Sequence, residues 1–278
     1  GRAYRFGMRA HLVQFDIAWE DPAENFRRVD KLVGGADIDE GDLVVLPEMF
    51  DTGFSLNTDV TADRDGATAK YIAGLADDLG CLVQGGRTVR TCFAEHCRPA
   101  RNHATVFGPE GRLLAEYAKV HPFTFSGEDA KFDGGDGVVT YAWAGPAGTL
   151  TVCPAVCYDL RFPELFRLGM LAGADVFAFG ANWPAARLGH WRALAIARAI
   201  ENQGYVLGVN RVGEDPNVAY AGGSIAVDPM GEVVGELRDV EGVLSVAVDP
   251  GAIRDWRERF SAWRDVRLIG ERALGSGQ

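Results

Sequence analysis

Three residues that can take part in catalysis each follow an apolar, strand-like run. Glu48 ends "DLVVLPE", Lys119 follows "LLAEYA", and Cys157 ends "LTVCPAVC". A carboxylate can act as a general base, a fixed ammonium can stabilise an oxyanion, and a thiol can act as a nucleophile. Because functional residues in α/β sheets gather where strands end, the three together predict thiol-based acyl transfer.

The surroundings of each residue allow two interpretations. Glu48 can be a surface cap, but Pro47 and the apolar residues after it favour a desolvated site that raises the pKa of the carboxylate. Lys119 can be an ordinary surface lysine. Cys157 can be an inert thiol, but a helix start at Phe162–Pro163 predicts a strand–turn–helix elbow. Free backbone N–H groups and a nearby cation would then favour the thiolate.

The intervening sequence alternates between strand and helix patterns, which predicts an α/β fold. Apolar strand patterns cover 11–17, 42–48, 81–87, 103–109, 150–158, 175–183, 205–213 and 223–229. Helical patterns cover 23–34, 67–79, 162–173 and 190–203. Hairpin-like strands near 103–118 and 222–248 favour mixed sheets. We expect a single domain over 8–270, with 1–7 as a cloning remnant ahead of a native Met8 and 271–278 as a tail.

Composition excludes several classes of function. The chain has a net charge of −11 and a pI near 5.0, so neither nucleic acid nor an anionic membrane is expected as a partner. There is no run of apolar residues long enough to span a bilayer and no signal-peptide core. The five cysteines predict reduced thiols and a cytoplasmic location. The spacing of Cys92, His96, Cys97 and His103 fits zinc patterns poorly, so no metal site is expected there, and thiol-based acyl transfer needs no cofactor.

The dispersed motifs resemble the nitrilase superfamily of carbon–nitrogen hydrolases, whose triad is Glu-Lys-Cys in this order. Resemblance extends over nearly the whole chain and includes "PEMFDTGF", "CYDLRFPEL", "ANWP", "ARAIENQGYVLGVNRVG" and "GGSIAVDPMGEVV". It implies an α-β-β-α sandwich with mixed sheets. It also implies that Glu48, Lys119 and Cys157 are catalytic, and that Tyr158 supplies a backbone N–H to the oxyanion.

The resemblance also implies a second glutamate in the loop after the lysine. Glu128 in "SGEDAKFDGGD" is the candidate, and the neighbouring Asp129 leaves this assignment open by one position. The implied reaction releases ammonia from a small amide through a cysteine thioester. A redox role for Cys153 and Cys157 is a weaker alternative, because two residues four apart in a strand lie too far apart for a disulfide.

"PEMFDTGF", "ANWPAARLGHW" and "ERFSAW" resemble the omega-amidase branch, which hydrolyses 2-oxoglutaramate and 2-oxosuccinamate. The carboxylate of such a substrate needs a local cation, for which Arg161 and Arg187 are the candidates. Trp183 and Phe54 are candidates for the pocket wall. An aliphatic amidase, an N-carbamoyl amino-acid hydrolase, a nitrilase and a catalytically silent binding protein remain as alternatives.

The family resemblance further implies a homodimer or a higher homo-oligomer. The regions expected to meet the partner are 162–173 and the C-terminal 251–268. The latter, "IRDWRERFSAWRDVR", mixes aromatic side chains with charge, which suits an interface.

Overall fold

A computed structural model describes residues 7–93 and 96–269 of the chain. Most of the expected remnant and all of the expected tail lie outside these described residues. Six α-helices are present in the described part: α1 Pro22–Gly34, α2 Thr58–Thr61, α3 Ala67–Leu79, α4 Pro163–Leu171, α5 Leu188–Asn202 and α6 Pro250–Arg259. Within the described residues, no helix has both the length and the apolar character needed to cross a bilayer.

The strands fall into two large sheets and two short hairpins. They are β1 Met8–Gln14, β2 Leu43–Val45, β3 Leu82–Val89, β4 Cys92–Phe93, β5 His96–Cys97, β6 Arg101–Phe107, β7 Leu113–Ala118, β8 Tyr141–Gly145, β9 Gly148–Val156, β10 Val176–Gly180, β11 Tyr205–Val209, β12 Val212–Glu214, β13 Ala219–Ala221, β14 Ile225–Val227, β15 Val233–Glu236 and β16 Gly242–Val248.

Both large sheets are mixed, as the sequence predicted. The first has the order β16-β1-β2-β3-β6-β7, and the second has the order β15-β14-β11-β10-β9-β8. The central strands β1, β2 and β3 run parallel in the first sheet, and β9, β10 and β11 run parallel in the second. Antiparallel strands flank both centres. The hairpins β4–β5 and β12–β13 stand outside these sheets.

The two sheets pack face to face and helices cover their outer faces, which confirms the α-β-β-α sandwich. One apolar cluster lies between the sheets and includes Leu12, Val45, Val152 and Leu207. A second joins α1 and α3 to the first sheet, and a third joins α4 and α5 to the second. The cores between and outside the sheets explain why many strands are apolar at nearly every position.

Successive residues of one strand show how both faces are buried. In β10, Val176 and Ala178 face the other sheet, whereas Phe177 and Phe179 pack under α4 and α5. Side chains alternate along a strand with a period of two, so both sets must be apolar. The helix starts also follow local chemistry, since the Asp21 carboxylate accepts the Glu24 N–H at 3.0 Å ahead of α1.

A buried carboxyl group in the loop after β2 predicts a pH-dependent stability. Asp51 is 1% exposed, and its carboxyl accepts the Thr68 hydroxyl at 2.7 Å. Burial raises its pKa to about 7, with a further contribution from Asp63. The folded-state pKa therefore lies above the unfolded value, so Asp51 favours folding below about pH 4, and this contribution is lost as pH rises through about 7.

We expect Asp51→Asn to remove this titration. The difference in Tm between the variant and wild type should increase by roughly 5 °C or more from pH 5 to pH 8, in favour of the variant. Thermal unfolding across that pH range measures it. Asp129→Asn, at an exposed carboxylate, controls for the loss of one charge. A Tm difference for Asp51→Asn that does not change with pH would show that Asp51 does not titrate in this window.

Candidate active site

Glu48 reaches the region between the two sheets because two glycines leave room for its backbone. A Cβ on Gly86, in β3, would lie 2.5 Å from the Met49 nitrogen and 2.7 Å from the Glu48 Cα. A Cβ on Gly180, at the end of β10, would lie 2.5 Å from the Glu48 nitrogen. Met49 itself has a left-handed backbone, with φ of 43°. One glycine from each sheet therefore permits the segment that carries Glu48.

Lys119 and Glu128 complete a buried cluster of charges with Glu48. Lys119 follows β7, and its Nζ lies 3.0 Å from Glu48 Oε1 and 2.8 Å from Glu128 Oε2. All three side chains are at most 1% exposed. Asp129 is exposed, so the structure places Glu128, and not its neighbour, against the lysine. The sequence motif had left this position open.

The charges of this cluster stabilise one another. Burial alone would lower the pKa of Lys119, but Glu48 and Glu128 raise it above its usual value, so the lysine carries a charge. Burial alone would raise the pKa of Glu48, but Lys119 and hydrogen bonds from Asn182 and Asn102 lower it. The expectation of a raised Glu48 pKa was therefore wrong, because apolar neighbours in the sequence do not reveal the cation that compensates for burial.

Cys157 lies at the predicted elbow. It follows β9 directly and begins a short 3₁₀ turn, Cys157–Arg161, that leads into α4. Its φ of 44° is left-handed, which is unusual for a residue with a side chain and is common at functional sites. Tyr158 is the second residue of the turn, where backbone N–H groups have no acceptor within the helix.

Asp159 fixes the elbow, a role that its place in the "CYDLRFPEL" motif did not predict. Its buried carboxylate accepts the Val156 N–H at 3.0 Å and the Tyr117 hydroxyl at 2.7 Å. It also accepts the His121 N–H at 3.1 Å and lies 2.8 Å from His121 Nδ1. Tyr117 and His121 flank Lys119, so this one carboxylate connects the cysteine turn with the lysine segment.

The thiol of Cys157 is protonated at rest. Desolvation and the neighbouring Glu48 carboxylate raise its pKa well above the usual value, and Lys119 only partly opposes this effect. The nearby cation does favour the thiolate, as expected, but burial and the Glu48 carboxylate outweigh it. A base must therefore remove the proton as the sulfur attacks.

Asn182 also holds Glu48 and was named from the sequence only as part of a loop. Its backbone N–H donates to Glu48 Oε2 at 3.0 Å, and its side-chain amide donates to the Glu48 carbonyl oxygen at 2.7 Å. It follows β10, so the second sheet orients a carboxylate carried by the first. An asparagine inside an "ANWP" motif was the only signal for this contact in the sequence.

A cavity of about 480 Å³ opens onto Cys157 and Lys119. All four residues predicted for substrate binding line it: Phe54, Arg161, Trp183 and Arg187. Further lining residues are Leu56, Phe123, Phe125, Ser126, Tyr158, Asn182, Pro184, Asp215, Asn217, Val218 and Tyr220. The wall is mostly aromatic and apolar, as in many small-molecule sites.

Two guanidinium groups in this cavity make no ion pair with the described part of the chain. Arg161 lies over the Trp183 ring at 4.7 Å from its centroid and 3.4 Å from His190 Nδ1. Arg187 lies over the Phe123 ring at 5.7 Å. Most other arginines near the core have carboxylate partners; Arg198, for example, pairs with Glu201 at 3.0 Å. The two cavity arginines are therefore suited to an anionic group from outside.

The remaining cysteines differ from the expectation of five reduced thiols. Cys81, Cys153 and Cys157 are free, but Cys92 is disulfide-bonded. Cys153 is buried in β9 under α4 and plays no part in the cavity. Of the three thiols that are free in the described residues, only Cys157 lies with an ammonium at the cavity, an arrangement that can transfer an acyl group.

Comparisons with known proteins agree with this geometry. A family model described as carbon-nitrogen hydrolase matches residues 9–258. An omega-amidase, YafV, of Escherichia coli (strain K12) is 34% identical over 94% of this chain and 97% of its own length. A 2-oxoglutaramate amidase of Bacillus subtilis (strain 168) is 34% identical over 92% of this chain and 96% of its own length.

A solved structure agrees equally well. XC1258 from Xanthomonas campestris, described as a CN-hydrolase superfamily protein with an arsenic adduct in the active site, superposes with a TM-score of 0.84. It is 36% identical and covers 95% of this chain and 98% of its own.

Proposed function

The chain belongs to the carbon–nitrogen hydrolase family, and on that premise we propose that it is an omega-amidase. It hydrolyses the terminal amide of a small 2-oxo acid, such as 2-oxoglutaramate or 2-oxosuccinamate, and releases ammonia. Two of its relatives are an omega-amidase and a 2-oxoglutaramate amidase. The observation that carries the proposal is the pair of guanidiniums, Arg161 and Arg187, in the cavity that contains Cys157.

In this proposal the substrate carboxylate lies against the two guanidiniums while its amide lies at Cys157. A guanidinium binds a carboxylate through two parallel hydrogen bonds and fixes its direction. The cavity is lined by few other charged side chains, namely Lys119 and Asp215. Asp215 accepts the backbone N–H groups of Asn217 and Val218 at 2.7 and 2.8 Å. A substrate with an anion at one end and a neutral amide at the other suits this arrangement.

Acylation begins with proton transfer from Cys157 to Glu48 as the sulfur attacks the amide carbon. The oxyanion that forms is stabilised by the Lys119 ammonium and by the backbone N–H of Tyr158. Collapse of this intermediate breaks the C–N bond, and Glu48 gives its proton to the departing nitrogen. Ammonia leaves and a thioester remains on Cys157.

Deacylation repeats these roles with water as the nucleophile. Glu48 removes a proton from the water as it attacks the thioester carbon, and the same two donors stabilise the second oxyanion. The sulfur leaves and recovers the proton from Glu48. Glu128 transfers no proton and forms no bond in this scheme. Together with Glu48, it keeps Lys119 charged.

Ammonia release from a substrate panel tests the proposal. The panel contains 2-oxoglutaramate, 2-oxosuccinamate, an aliphatic amide, an N-carbamoyl amino acid and a nitrile, each with wild type and Cys157→Ala. Release from the two keto-amides that disappears in the variant is the expected result. Release from another compound alone would assign the protein to a different activity of the family. No release from any compound would contradict the proposed enzyme.

The carboxylate site can be tested separately from the chemistry. Arg161→Gln should raise KM for 2-oxoglutaramate roughly 10- to 100-fold and change kcat less, because it removes a charge-assisted contact made in ground and transition states alike. The effect should disappear with an aliphatic amide that lacks a carboxylate. Arg192→Gln, which removes an exposed arginine paired with Glu236, is the control. An unchanged KM would exclude Arg161 from this role.

We also propose that the enzyme is at least a homodimer whose subunits meet through α4 and the C-terminal segment 251–268. Leu168 and Leu171 on α4 are 42% and 48% exposed, and Phe260, which follows α6, is 55% exposed. Exposed apolar side chains such as these are typical of an interface. Light scattering should report a dimer for wild type and a smaller species for the Leu168→Glu, Leu171→Glu variant. A wild-type monomer would contradict the proposal.

A cytoplasmic location stays a prediction. The acidic chain is compatible with it, whereas the disulfide at Cys92 is unusual for that compartment.

A further inference from the structure

One neutral side chain holds both carboxylates of the charged cluster. Asn102 lies in β6 and is 1% exposed. Its amide nitrogen donates to Glu48 Oε1 at 2.8 Å and to Glu128 Oε1 at 3.2 Å. The Lys119 ammonium contacts the same two oxygens, at 3.0 and 3.1 Å. The two glutamates are therefore bridged twice, once by a cation and once by an amide.

The orientation of this amide follows from its neighbours. Both contacts of the nitrogen are to carboxylate oxygens, which only accept hydrogen bonds, so the N–H groups must face them. The Oδ1 atom on the other side is buried and has no hydrogen-bond donor within residues 7–93 and 96–269. An unpaired buried carbonyl is costly. The side chain is therefore used for its two N–H groups.

The net charge of the cluster explains why a neutral hydrogen-bond donor, the Asn102 amide, lies between the two glutamates. Two carboxylates and one ammonium leave a net negative charge in a buried place, and the carboxylates repel each other. A second cation would neutralise that excess but would also weaken Glu48 as a base. An amide supplies two donors without adding charge. The backbone carbonyl of Asn102 also accepts the Lys119 N–H, at 2.8 Å, so the same residue positions the lysine.

We propose that Asn102 is a positioning residue of the reaction, which holds Glu48 and Glu128 at a fixed separation so that Glu48 stays ionised and directed at Cys157. This inference rests on the proposed function insofar as it assigns Glu48 the role of base. It adds a residue that the sequence motifs did not include. Asn102 acts through the two glutamates and does not line the cavity.

The test uses Asn102→Ala and Asn102→Asp, with Thr88→Val as the matched control. Thr88 pairs with Asn102 across β3 and β6, is also fully buried, and has no hydrogen bond from its hydroxyl to the described residues. Two measurements are made from pH 9 down to the lowest pH at which the enzyme stays folded, because the pKa of Glu48 lies below its usual value. One is kcat/KM with whichever amide wild type hydrolyses. The other is the rate at which iodoacetamide alkylates Cys157. This measurement needs no substrate, and it reports removal of the thiol proton.

Asn102→Ala should lower kcat/KM by roughly 10²-fold and move the acidic limb of both profiles to higher pH by about one unit, because Glu48 loses a donor to its ionised form. At pH 8, Asn102→Asp should have a lower kcat/KM than Asn102→Ala, because it adds a third carboxylate to the cluster. Its activity relative to wild type should rise as pH falls, because a protonated aspartate can donate one hydrogen bond.

The proposal would be overturned if the acidic limbs of both pH profiles stayed in place and Thr88→Val lost as much kcat/KM as the Asn102 variants. A merely structural role would give this result, because it lowers the amount of folded protein equally at all pH values. The alkylation profile keeps the two proposals separate. If wild type releases no ammonia from the keto-amides, the omega-amidase proposal fails, while the pH dependence of alkylation still decides the role of Asn102. If Asn102→Asp does not fold, Asn102→Ala is sufficient for the decision.

Discussion

Lys119→Met is expected to lower kcat by at least about 10³-fold. The variant keeps the length of the side chain but removes the ammonium, and the loss of a single oxyanion donor already costs about 10²- to 10³-fold. A second effect adds to it, because Glu48 loses the neighbouring charge that keeps it ionised in a buried place. The pKa of Glu48 should rise, and Glu48 should then be a poor base at neutral pH.

A second variant separates this catalytic effect from stability. Removing one partner of a buried ion pair costs about 3–5 kcal/mol, so Lys119→Met should also unfold at lower temperature. Adding Glu128→Gln removes one uncompensated charge and should recover much of the lost Tm. Activity should not recover, because the oxyanion donor is still missing. Lys70→Met, at an exposed lysine, is the control. Recovery of activity in the double variant would show that Lys119 acts only through folding.

Cys157→Ala is expected to reduce turnover by at least about 10⁴-fold, because it removes the only thiol that lines the cavity in the described part of the chain. The chain offers a close control in Cys153→Ala. Cys153 is also a free thiol, lies four residues earlier in β9, and is fully buried against α4. That variant should lose some stability from the small cavity it leaves, but its kcat should stay within a few-fold of wild type.

The two cysteine variants also decide between covalent catalysis and redox regulation. Loss of activity in Cys157→Ala alone supports the thioester mechanism. Equal losses in both variants, or appreciable activity in Cys157→Ala, would contradict it. The comparison is made in the presence of a reductant, so that oxidation of either thiol does not contribute.

The fold was largely predictable because its local signals agree. The helix at Ala67–Leu79 has the bounds that its periodicity predicted, and the strand Val176–Gly180 lies inside the apolar pattern at 175–183. The observed ends of strands and helices differ from the predicted ends where the backbone turns sharply. The strand predicted for 42–48 ends at Val45, because Pro47 and the left-handed Met49 carry the chain away from the sheet.

The site was predictable only in part. Strand ends and family motifs identified Glu48, Lys119, Cys157 and Glu128, which the structure brings together. Asp159, Asn102 and Asn182 were missed as supporting residues, because each acts on a group far away in the sequence. Asn102 and Glu48 are 54 residues apart, and Asn182 and Glu48 are 134 apart. Spacing along the chain does not reveal such contacts.

The direction of the pKa shifts could not be read from the sequence for the same reason. Apolar neighbours of Glu48 indicated burial correctly, but the net effect depends on the distance to Lys119. The raised pKa of Cys157 likewise depends on how deeply the thiol is buried and on its distances to Glu48 and Lys119. Both pKa shifts depend on distances between charged groups in the folded protein, whereas a sequence motif gives only the residue types.

The division of the site between two sheets has a consequence for how activity is acquired during folding. Glu48, Asn102 and Lys119 belong to segments of the first sheet, whereas Cys157 and Asn182 follow strands of the second. The first sheet also needs its edge strand β16, Gly242–Val248, which pairs with β1 at the other end of the chain. Such long-range pairing forms late. A chain still being synthesised should therefore have no active thiol until residue 248 has emerged. In refolding experiments, the return of enzymatic activity should lag behind the return of secondary structure.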